Sequence, residues 1–376
     1  MNKRNIFLLC AIGFLQGMVF YAPVATLYRQ TAGLGIWEIS LIESISLALS
    51  IALEIPWGIT ADRIGYRKTM LVCCMLFFLS KILFWKASGF GGFLLERILL
   101  AVVCSGLSGV DVGMLYESCG QENSHKIFGI YEYLQQAGLL LAATAYSLWI
   151  GTDYRLAGFL TVLSYGAAAL LALFLQEVKA PQTRRLTAKE STMMLAQLLT
   201  DRKLLLFLLG IGLLNETHQT VTVFLNQLQY TRSGMTVQGI SWAYILLSLA
   251  GLTSVFSFRL TGRMGEKRMG NSLMFGSFLC CLVLVITEDP AFSVAAVVGL
   301  RVCYSLFQPL QLQQQNRRVQ TRHRATVLSM HAVFLNSIAV VLNLLYGRAA
   351  ETGLPAAMLL GAAVCLVALL LYRKGC

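Results

Sequence analysis

The sequence has little charge for its length, and this shortage excludes most soluble folds. Charged residues make up 13% of the 376 residues and hydrophobic residues 57%, whereas soluble proteins carry roughly 25% charged residues. The mean hydropathy is +0.67. A water-soluble fold of this size could not cover so much apolar surface without a charged shell. The composition therefore excludes a cytosolic enzyme, a secreted disulfide scaffold and a disordered chain, and it indicates a polytopic membrane protein.

Signatures of metal, nucleotide and nucleic-acid binding are also missing. The ten cysteines form no CxxC motif and no Cys/His pair with metal spacing, so we interpret them as packing residues. The absence of a GxxxxGK[ST] loop excludes an ATP-driven pump. The net charge of +12 is spread over short loops rather than clustered on one surface, which argues against a nucleic-acid partner. We expect no metal and no organic cofactor.

Apolar runs of about 20 residues, the length that crosses a bilayer, recur throughout the chain. They predict an all-α integral membrane protein with twelve transmembrane helices. The longest polar break, residues 177–201, predicts a cytoplasmic linker between two six-helix bundles, residues 1–176 and 202–376, and its part 188–199 predicts a helix on the inner surface. The predicted spans are 5–28, 37–60, 69–87, 92–116, 126–149, 155–176, 202–228, 237–260, 270–287, 291–312, 325–347 and 355–372.

The distribution of basic residues predicts the orientation of these spans. If the N-terminus is cytoplasmic, 22 of the 30 Lys and Arg residues lie in cytoplasmic segments and only five in the opposite loops. Cytoplasmic loops of membrane proteins carry such an excess. We therefore expect a multi-pass protein of the cell (inner) membrane with both termini in the cytoplasm. The remaining three, Lys81, Arg97 and Arg301, fall well inside predicted spans, while basic residues at the ends of spans are counted with the adjoining loops.

Two loops separated by 200 residues match each other. The loop after the second span contains Arg63, Gly65 and Arg67, and the loop after the eighth contains Arg263 and Gly265 at the same spacing. Equal numbers of spans surround the two loops. Together these features indicate a duplicated six-helix half.

The segment Gly58–Lys68 resembles the signature loop of the major facilitator superfamily of secondary transporters, with Tyr66 where an Arg is common. Residues 54–58, 105–111 and 324–329 resemble a bacterial branch described as drug exporters. In contrast to that branch, the fifth span lacks a Gly-Pro-rich antiporter motif, and the fourth has Arg97 without a following Gln-Gly. The resemblance implies two pseudo-symmetric six-helix bundles that alternate between inward- and outward-open states.

The resemblance also implies a cytoplasmic gate. In such a gate Arg63 or Arg67 pairs with Glu117, and Asp62 faces the beginning of the eleventh span, where a helix dipole favours a carboxylate. The expected gate residues are Gly58, Asp62, Arg63, Gly65, Arg67, Lys68, Glu117 and Arg324.

Polar residues are costly inside a membrane, so they mark candidate sites. The seventh span is richest in them: Asn215, Gln219, Thr222 and Asn226 recur at helical spacing, and His218 lies among them. The alternative is a structural hydrogen-bond cluster between helices. Burial disfavours the charged form of a carboxyl, which makes Glu216 a candidate proton site.

Arg301 lies near the middle of the tenth span and needs a partner, for which Glu216 is our first candidate. Their pair is either a static strut or a place where a proton or an anionic substrate exchanges. The other proton-coupling candidates are Asp111, Glu54 and Glu132. The other substrate-cavity candidates are Gln16, Tyr21, Trp242, Tyr244, Tyr304 and Gln308, of which the aromatic ones alternatively serve packing.

We therefore expect a monomeric secondary transporter that is not an enzyme, with a small-molecule substrate, protons and the lipid bilayer as partners. Proton-coupled efflux (antiport) of amphipathic drugs or metabolites is the first hypothesis, and proton-coupled uptake of a small polar or anionic nutrient is the alternative. A receptor or lipid-moving protein of the same fold also stays open. An intramembrane serine protease is a remote alternative, based on a GxSG-like stretch at residues 106–109.

Overall fold

The computed structural model describes residues 2–107, 110–119, 124–178, 200–318 and 324–375. All regular secondary structure in these ranges is helical. The helices are α1 (Lys3–Gly17), α2 (Ala25–Thr31), α3 (Ile36–Ile64), α4 (Tyr66–Lys86), α5 (Gly89–Leu107), α6 (Val110–Cys119), α7 (Ser124–Ala145), α8 (Tyr154–Ala172), α9 (Arg202–Gln219), α10 (Asn226–Arg232), α11 (Val237–Ala250), α12 (Ser257–Met264), α13 (Glu266–Ile286), α14 (Pro290–Arg318), α15 (Arg324–Thr352) and α16 (Leu354–Gly375).

Short 3₁₀-helical or π-helical segments extend some of these helices or join them into longer spans. Two are 3₁₀ segments, Ala22–Val24 before α2 and Gly251–Phe256 between α11 and α12. Two are π-helical, Tyr146–Ile150 after α7 and Thr220–Leu225 between α9 and α10. Turns of the π-helix are rare in proteins, and those that occur are often found at functional sites.

Within the described ranges, eleven helical stretches are long and apolar enough to cross a membrane. The predicted fifth span, 126–149, is helical in the structure as α7 and its π-helical continuation, yet it is not one of the eleven. Its middle carries Glu132, Gln135 and Gln136. The fifth predicted span is therefore more polar than the other eleven, and its middle carries several hydrogen-bonding side chains.

The chain divides into two compact units. The first unit comprises Met1–Gly35 and Ile45–Thr183, and the second comprises Ile36–Ser44 and Arg184–Cys376. The beginning of α3 belongs to the second unit because it packs on α15: the Ser44 hydroxyl donates to the carbonyl of Val340 at 3.2 Å, and Arg348 lies 4.0 Å from the Trp37 ring. The predicted linker falls outside the described residues from 179 to 199.

The two units repeat the same local geometry. The helices α4 and α13 begin and end 200 residues apart, at Tyr66–Lys86 and Glu266–Ile286. The preceding glycines, Gly65 and Gly265, have nearly equal dihedral angles, φ/ψ of 89/159° and 81/147°. A positive φ favours glycine, so the sequence repeat corresponds to a structural repeat.

Helix packing joins distant parts of the chain within each unit. In the first unit α1 packs on α7 and α4 packs on α8, and in the second α9 packs on α15 and α13 packs on α16. Glycine permits the closest approach in the first unit, because a Cβ at Gly17 or Gly138 would overlap the carbonyl oxygen of Gln135 or Phe14. Small residues allow such backbone contact between membrane helices. This contact sets the position of the polar middle of α7.

Candidate functional site

The first unit contains an open cavity of about 370 Å³ with a mixed polar and apolar lining. Its walls come from α1, α4, α5, α6, α7 and α8. The side chains lining it are mostly amides, carboxyls and aromatic rings among aliphatic ones, and the lining residues are Gln16, Gly17, Val19, Met70, Phe77, Leu107, Asp111, Tyr131, Glu132, Gln135, Gln136, Leu139 and Tyr165. A cavity with several hydrogen-bonding groups among apolar walls is the usual form of a small-molecule site.

Hydrogen bonds hold the cavity walls in place. The Tyr131 hydroxyl donates to Asp111 Oδ2 at 3.3 Å. The Tyr165 hydroxyl donates to the Gln16 carbonyl at 2.6 Å, and the Gln16 amide nitrogen lies 3.5 Å from the Cys74 sulfur. These contacts tie α1 to α4 and α8, and α6 to α7, so the polar side chains face a preorganised space.

The structure brings together three of the predicted residues of this half, Gln16, Asp111 and Glu132, around the cavity. It does not bring Tyr21 there. That tyrosine is buried and stacks on Phe84 with ring centroids 4.0 Å apart, because the break after α1 turns it towards α4. Glu54 is half-buried and is not among the residues that line this cavity.

A buried lysine stands behind the cavity wall. Lys81 is 6% exposed, and its Nζ lies 4.9 Å and 5.0 Å from the ring centroids of Phe77 and Tyr165, which also line the cavity. Its ammonium group also donates to the Tyr21 hydroxyl at 3.2 Å. Aromatic faces attract cations. From the sequence, Lys81 was predicted only to lie inside a membrane span, and no function was predicted for it.

Glu96 supplies negative charge near this lysine. Its side chain is 1% exposed and interacts electrostatically with Lys81, and its Oε2 lies 3.5 Å from Arg97 Nε. Arg29, which directly follows the first predicted span, is also buried, and its guanidinium lies 5.8 Å from the Phe84 ring centroid. Sequence analysis missed Glu96 altogether, although a carboxyl within a predicted span was the available signal.

The second unit contains a separate polar cluster around Glu216. This carboxyl is 6% exposed, and its Oε1 accepts a hydrogen bond from the Thr220 hydroxyl at 2.9 Å. Asn343 Oδ1 lies 3.5 Å from the same hydroxyl. The Glu43 carboxyl, also buried, interacts electrostatically with Glu216. On the same helix, Thr217 accepts a hydrogen bond from the Tyr346 hydroxyl at 2.9 Å.

Arg301 contacts His218 rather than Glu216, so the expected Glu216–Arg301 pair is wrong for this conformation. Arg301 Nη1 lies 3.3 Å from His218 Nε2, and the His218 ring stacks on Tyr304 with centroids 3.8 Å apart. No carboxylate lies within ion-pair distance of Arg301 among the described residues. The reason is the helical phase: Glu216 and His218 are two residues apart and point to different sides of α9.

The π-helical segment Thr220–Leu225 breaks the predicted polar stripe of the seventh span. A widened turn rotates the following residues away from their α-helical positions. Gln219 is exposed, whereas Thr222 and Asn226 are buried, and the Asn226 side chain accepts from the backbone N–H of Gln227 at 2.8 Å. Asn215 is half-buried, with an Oδ1 that has no hydrogen-bond partner among the described residues.

The remaining predicted residues of the second unit are less concentrated. Tyr244 and Tyr304 both interact electrostatically with Arg301. Trp242 is 50% exposed and Gln308 is exposed, and among the described residues no hydrogen bond or ring contact joins either of them to the His218 side chain.

The gate predicted from the resemblance differs in its contacts. The structure does not describe the surroundings of four of the predicted gate residues, Gly58, Asp62, Arg63 and Arg324. Arg67, Lys68 and Glu117 are exposed, and no ion pair between Arg67 and Glu117 is found among the described side chains. Instead, Glu177 Oε1 accepts the backbone N–H of Arg67 at 3.2 Å, a position where the dipole of α4 favours a carboxylate. Ser108 and Gly109 of the GxSG-like stretch lie outside the described residues.

Comparison with known proteins identifies a family over most of the chain. The sequence profile of the Major Facilitator Superfamily matches residues 6–344. An uncharacterized MFS-type transporter of Methanocaldococcus jannaschii is 34% identical over 104 residues, covering 27% of this chain and 26% of the relative. A D-xylose transporter of Levilactobacillus brevis is 24% identical over 181 residues, covering 47% of this chain and 37% of the relative. These alignments therefore span less than half of either relative.

Solved structures show the same fold at low sequence identity. The nucleoside transporter NupG has a TM-score of 0.83 at 15% identity, and the match covers 100% of this chain and 99% of that one. A bacterial homologue of the human lysosomal transporter Spinster, inward-facing and unoccupied, has a TM-score of 0.77 at 14% identity over 100% of this chain and 96% of its own.

The all-helical structure fits the twelve-helix fold of these transporters. Eleven described helices are apolar enough to span a membrane, and α7 supplies the further, more polar one. Because the profile match covers most of its length, the chain is a multi-pass membrane protein that belongs to the Major Facilitator Superfamily of transporters.

Proposed function

We propose that this chain is a secondary transporter that takes up a small polar solute together with protons by alternating access. The observation that carries the proposal is the cavity of the first unit, in which Gln16, Asp111, Glu132, Gln135 and Gln136 present hydrogen-bonding groups to one space of about 370 Å³. Such a lining suits a solute with several hydroxyl, amide or carboxyl groups, because each unmet polar group in a site costs binding energy.

The comparisons support a polar solute. The relative from Levilactobacillus brevis is a D-xylose transporter, and one fold neighbour is a nucleoside transporter. Both named solutes are small and rich in hydrogen-bonding groups. The missing antiporter motif of the fifth span points the same way. We therefore favour polar uptake over the drug export that the sequence resemblance suggested.

Buried carboxyls support coupling to protons. Glu216 is 6% exposed and bonded to Thr220, and no cation lies within ion-pair distance of it among the described residues. Asp111 faces the cavity of the first unit. Acidic residues inside membrane spans commonly serve as proton relays. We propose Glu216 and Asp111 as the leading proton-coupling candidates, ahead of Glu54 and Glu132.

Efflux of lipophilic cations is the second candidate function. Phe77, Tyr131 and Tyr165 line the same cavity as the carboxyls of Asp111 and Glu132. Aromatic faces beside negative charge bind organic cations. This combination favours an amphipathic cation as a competing substrate.

The test is solute-induced proton movement in proteoliposomes that contain the purified full chain and an internal pH dye. We compare D-xylose, uridine and lactate with tetraphenylphosphonium in the wild type, in Glu216→Gln, in Asp111→Asn and in Glu288→Gln, which serves as an exposed-carboxylate control. The proposal expects proton entry with at least one polar solute, reduced at least tenfold in Glu216→Gln or in Asp111→Asn but not in the control. Proton release with the cation alone would replace it with drug antiport.

Topology needs a separate test in membrane vesicles and whole cells. We propose cytoplasmic termini and a cytoplasmic gate that includes Gly65, Arg67 and Lys68. The variant Lys374→Cys should react with a membrane-impermeant maleimide above the wild-type level only in inside-out vesicles, whereas such a reaction in right-side-out cells would reverse the orientation.

A further inference from the structure

The contact between Arg301 and His218 has consequences for what the second unit binds. Arg301 Nη1 donates to His218 Nε2 at 3.3 Å. A guanidinium has donors only, so Nε2 must act as an acceptor. The imidazole is therefore neutral, with its proton on Nδ1, whenever this contact exists. A protonated His218 and Arg301 at this distance would repel each other as like charges.

A second partner lies beside the same nitrogen. The Thr222 hydroxyl donates to the His218 carbonyl at 2.8 Å, and its oxygen lies 3.3 Å from His218 Nε2. Because the hydroxyl proton is already engaged, the Thr222 oxygen is ready to accept a hydrogen bond from a protonated Nε2. His218 thus has two alternative arrangements: neutral and bonded to Arg301, or protonated and bonded to Thr222.

The site also leaves a positive charge without a carboxylate. Arg301 is half-buried and interacts with Tyr244 and Tyr304, and no acidic side chain lies within ion-pair distance of it among the described residues. Its described hydrogen bond uses one of five N–H donors. The space for the guanidinium comes from Gly251, where a Cβ would lie 2.8 Å from Nη2.

We propose that Arg301, His218 and Thr222 form a proton-linked anion site, which binds a carboxylate-bearing solute and one proton together. The carboxylate accepts from the Arg301 guanidinium in the two-pronged geometry that favours arginine. Arg301 then leaves His218, whose Nε2 takes up a proton supplied by the buffered solution and donates it in a hydrogen bond to Thr222. One negative and one positive charge enter, so the net charge of the cluster stays unchanged. This inference rests on the proposed function and adds to the cavity of the first unit a second site, with its own proton on His218, for a carboxylate-bearing substrate.

Other titratable groups surround His218 and could compete for the proton. Glu216 is the nearest on its own helix, with Glu43 beside it. Further titratable groups that interact with Arg301 or Glu216 include Tyr304 on α14, Tyr244 on α11 and Tyr346 on α15, and Tyr346 in turn interacts with Cys281 on α13 and Cys365 on α16. The experiment therefore separates His218 from Glu216.

Calorimetry on the purified full chain in detergent tests the site. Acetate, lactate and benzoate are titrated at pH 7.5 beside their neutral amides, in two buffers of different ionisation enthalpy, which counts the protons taken up. The expected result is that at least one carboxylate binds, at least tenfold more tightly than its amide, with about one proton taken up. Arg301→Gln should weaken binding at least tenfold, while Arg232→Gln, an arginine of the same unit paired with Glu288, should not.

The proton is assigned by two further variants. His218→Gln should abolish proton uptake, and Glu216→Gln should preserve it. Proton uptake that survives in His218→Gln, amides that bind as tightly as carboxylates, or no carboxylate binding would each overturn the inference. If Arg301→Gln does not fold, Arg301→Lys, which keeps the charge and loses the two-pronged geometry, replaces it with the same expected loss.

The outcome also separates this inference from the proposed function. Proton-coupled transport of D-xylose or uridine without carboxylate binding would overturn the anion site alone. Carboxylate binding with proton uptake but no transport of any solute in proteoliposomes would overturn the transport proposal alone.

Discussion

The two units of the molecule treat buried positive charge in opposite ways. In the first unit Lys81 is enclosed by Tyr21, Phe77 and Tyr165, with Glu96 supplying negative charge. In the second unit Arg301 is half-buried against a neutral histidine. Both lie in spans of related halves, where an uncompensated cation is costly.

In our proposal, this difference separates a structural cation, Lys81, from a functional one, Arg301. A cation with its negative charge already in place stabilises the wall behind the cavity and has nothing to gain from a ligand. A cation that contacts only neutral partners gains free energy when an anion arrives. The duplicated fold therefore has a buried cation with nearby negative charge behind the cavity of the first unit, and a cation with only neutral described neighbours in the second.

The largest effect on stability is expected from removing the positive charge of Lys81. Lys81→Met removes the hydrogen bond to the Tyr21 hydroxyl and the attraction to Glu96, which keeps Arg97 within ion-pair distance, and should lower the free energy of unfolding by about 3 kcal/mol. The apparent melting temperature in detergent measures the change. Lys86→Met is the matched control, since Lys86 is exposed and lies over the Trp85 ring. Equal melting temperatures for the two variants would remove the distinction between the two cations.

The close contact of α1 and α7 should be the next most sensitive. A Cβ at position 138 would overlap the Phe14 carbonyl, so Gly138→Ala must separate two backbones, at about 1–3 kcal/mol. Gly129→Ala on the same helix meets nothing within 4 Å and should be neutral or stabilising. Melting temperatures report the cost, and solute transport reports any distortion of the cavity. If both substitutions behave alike, the packing argument fails.

A cavity side chain should affect the solute more than the fold. Gln135→Ala removes a hydrogen-bonding group from the cavity lining, which corresponds to about 0.5–1.5 kcal/mol, or roughly a two- to tenfold rise in KM. Gln313→Ala, at an exposed position of the second unit, is the control. A KM that is unchanged in Gln135→Ala would place the solute elsewhere.

The smallest change in stability is expected at Gly251. A methyl group there would meet the end of the flexible Arg301 side chain, which can move. Gly251→Ala should therefore leave the melting temperature within a few degrees, given that a helical Gly→Ala change is worth at most ~1 kcal/mol, but alter carboxylate affinity several-fold. Gly262→Ala, with nothing within 4 Å of its Cβ, should leave carboxylate affinity unchanged. An unaffected affinity in Gly251→Ala would show that the guanidinium position is unimportant.

Much of the fold follows from local sequence properties. Apolar run length predicted the helices, and the 200-residue repeat predicted the matched turns at Gly65 and Gly265. These features depend on residues that are close in the chain. The polar middle of α7 was likewise visible as a departure from an apolar span, and the structure places it on a cavity.

The partners of buried charges could not be predicted in the same way. Whether Arg301 meets Glu216 or His218 depends on the phase of α9. The directions of the side chains change again at the π-helical segment Thr220–Leu225, which no pattern in the sequence predicted. The aromatic enclosure of Lys81 joins side chains from distant segments of the first unit. Such contacts are properties of the tertiary structure alone.

The most direct test of the central claim is accumulation of a polar solute driven by an imposed pH gradient. Proteoliposomes with the purified chain, acidic outside and with the membrane potential clamped, are supplied with labelled lactate, D-xylose or uridine. We predict accumulation of at least one solute above its external concentration, which collapses when a protonophore removes the gradient. Uptake that stops at equal concentrations, with or without the gradient, would contradict proton coupling.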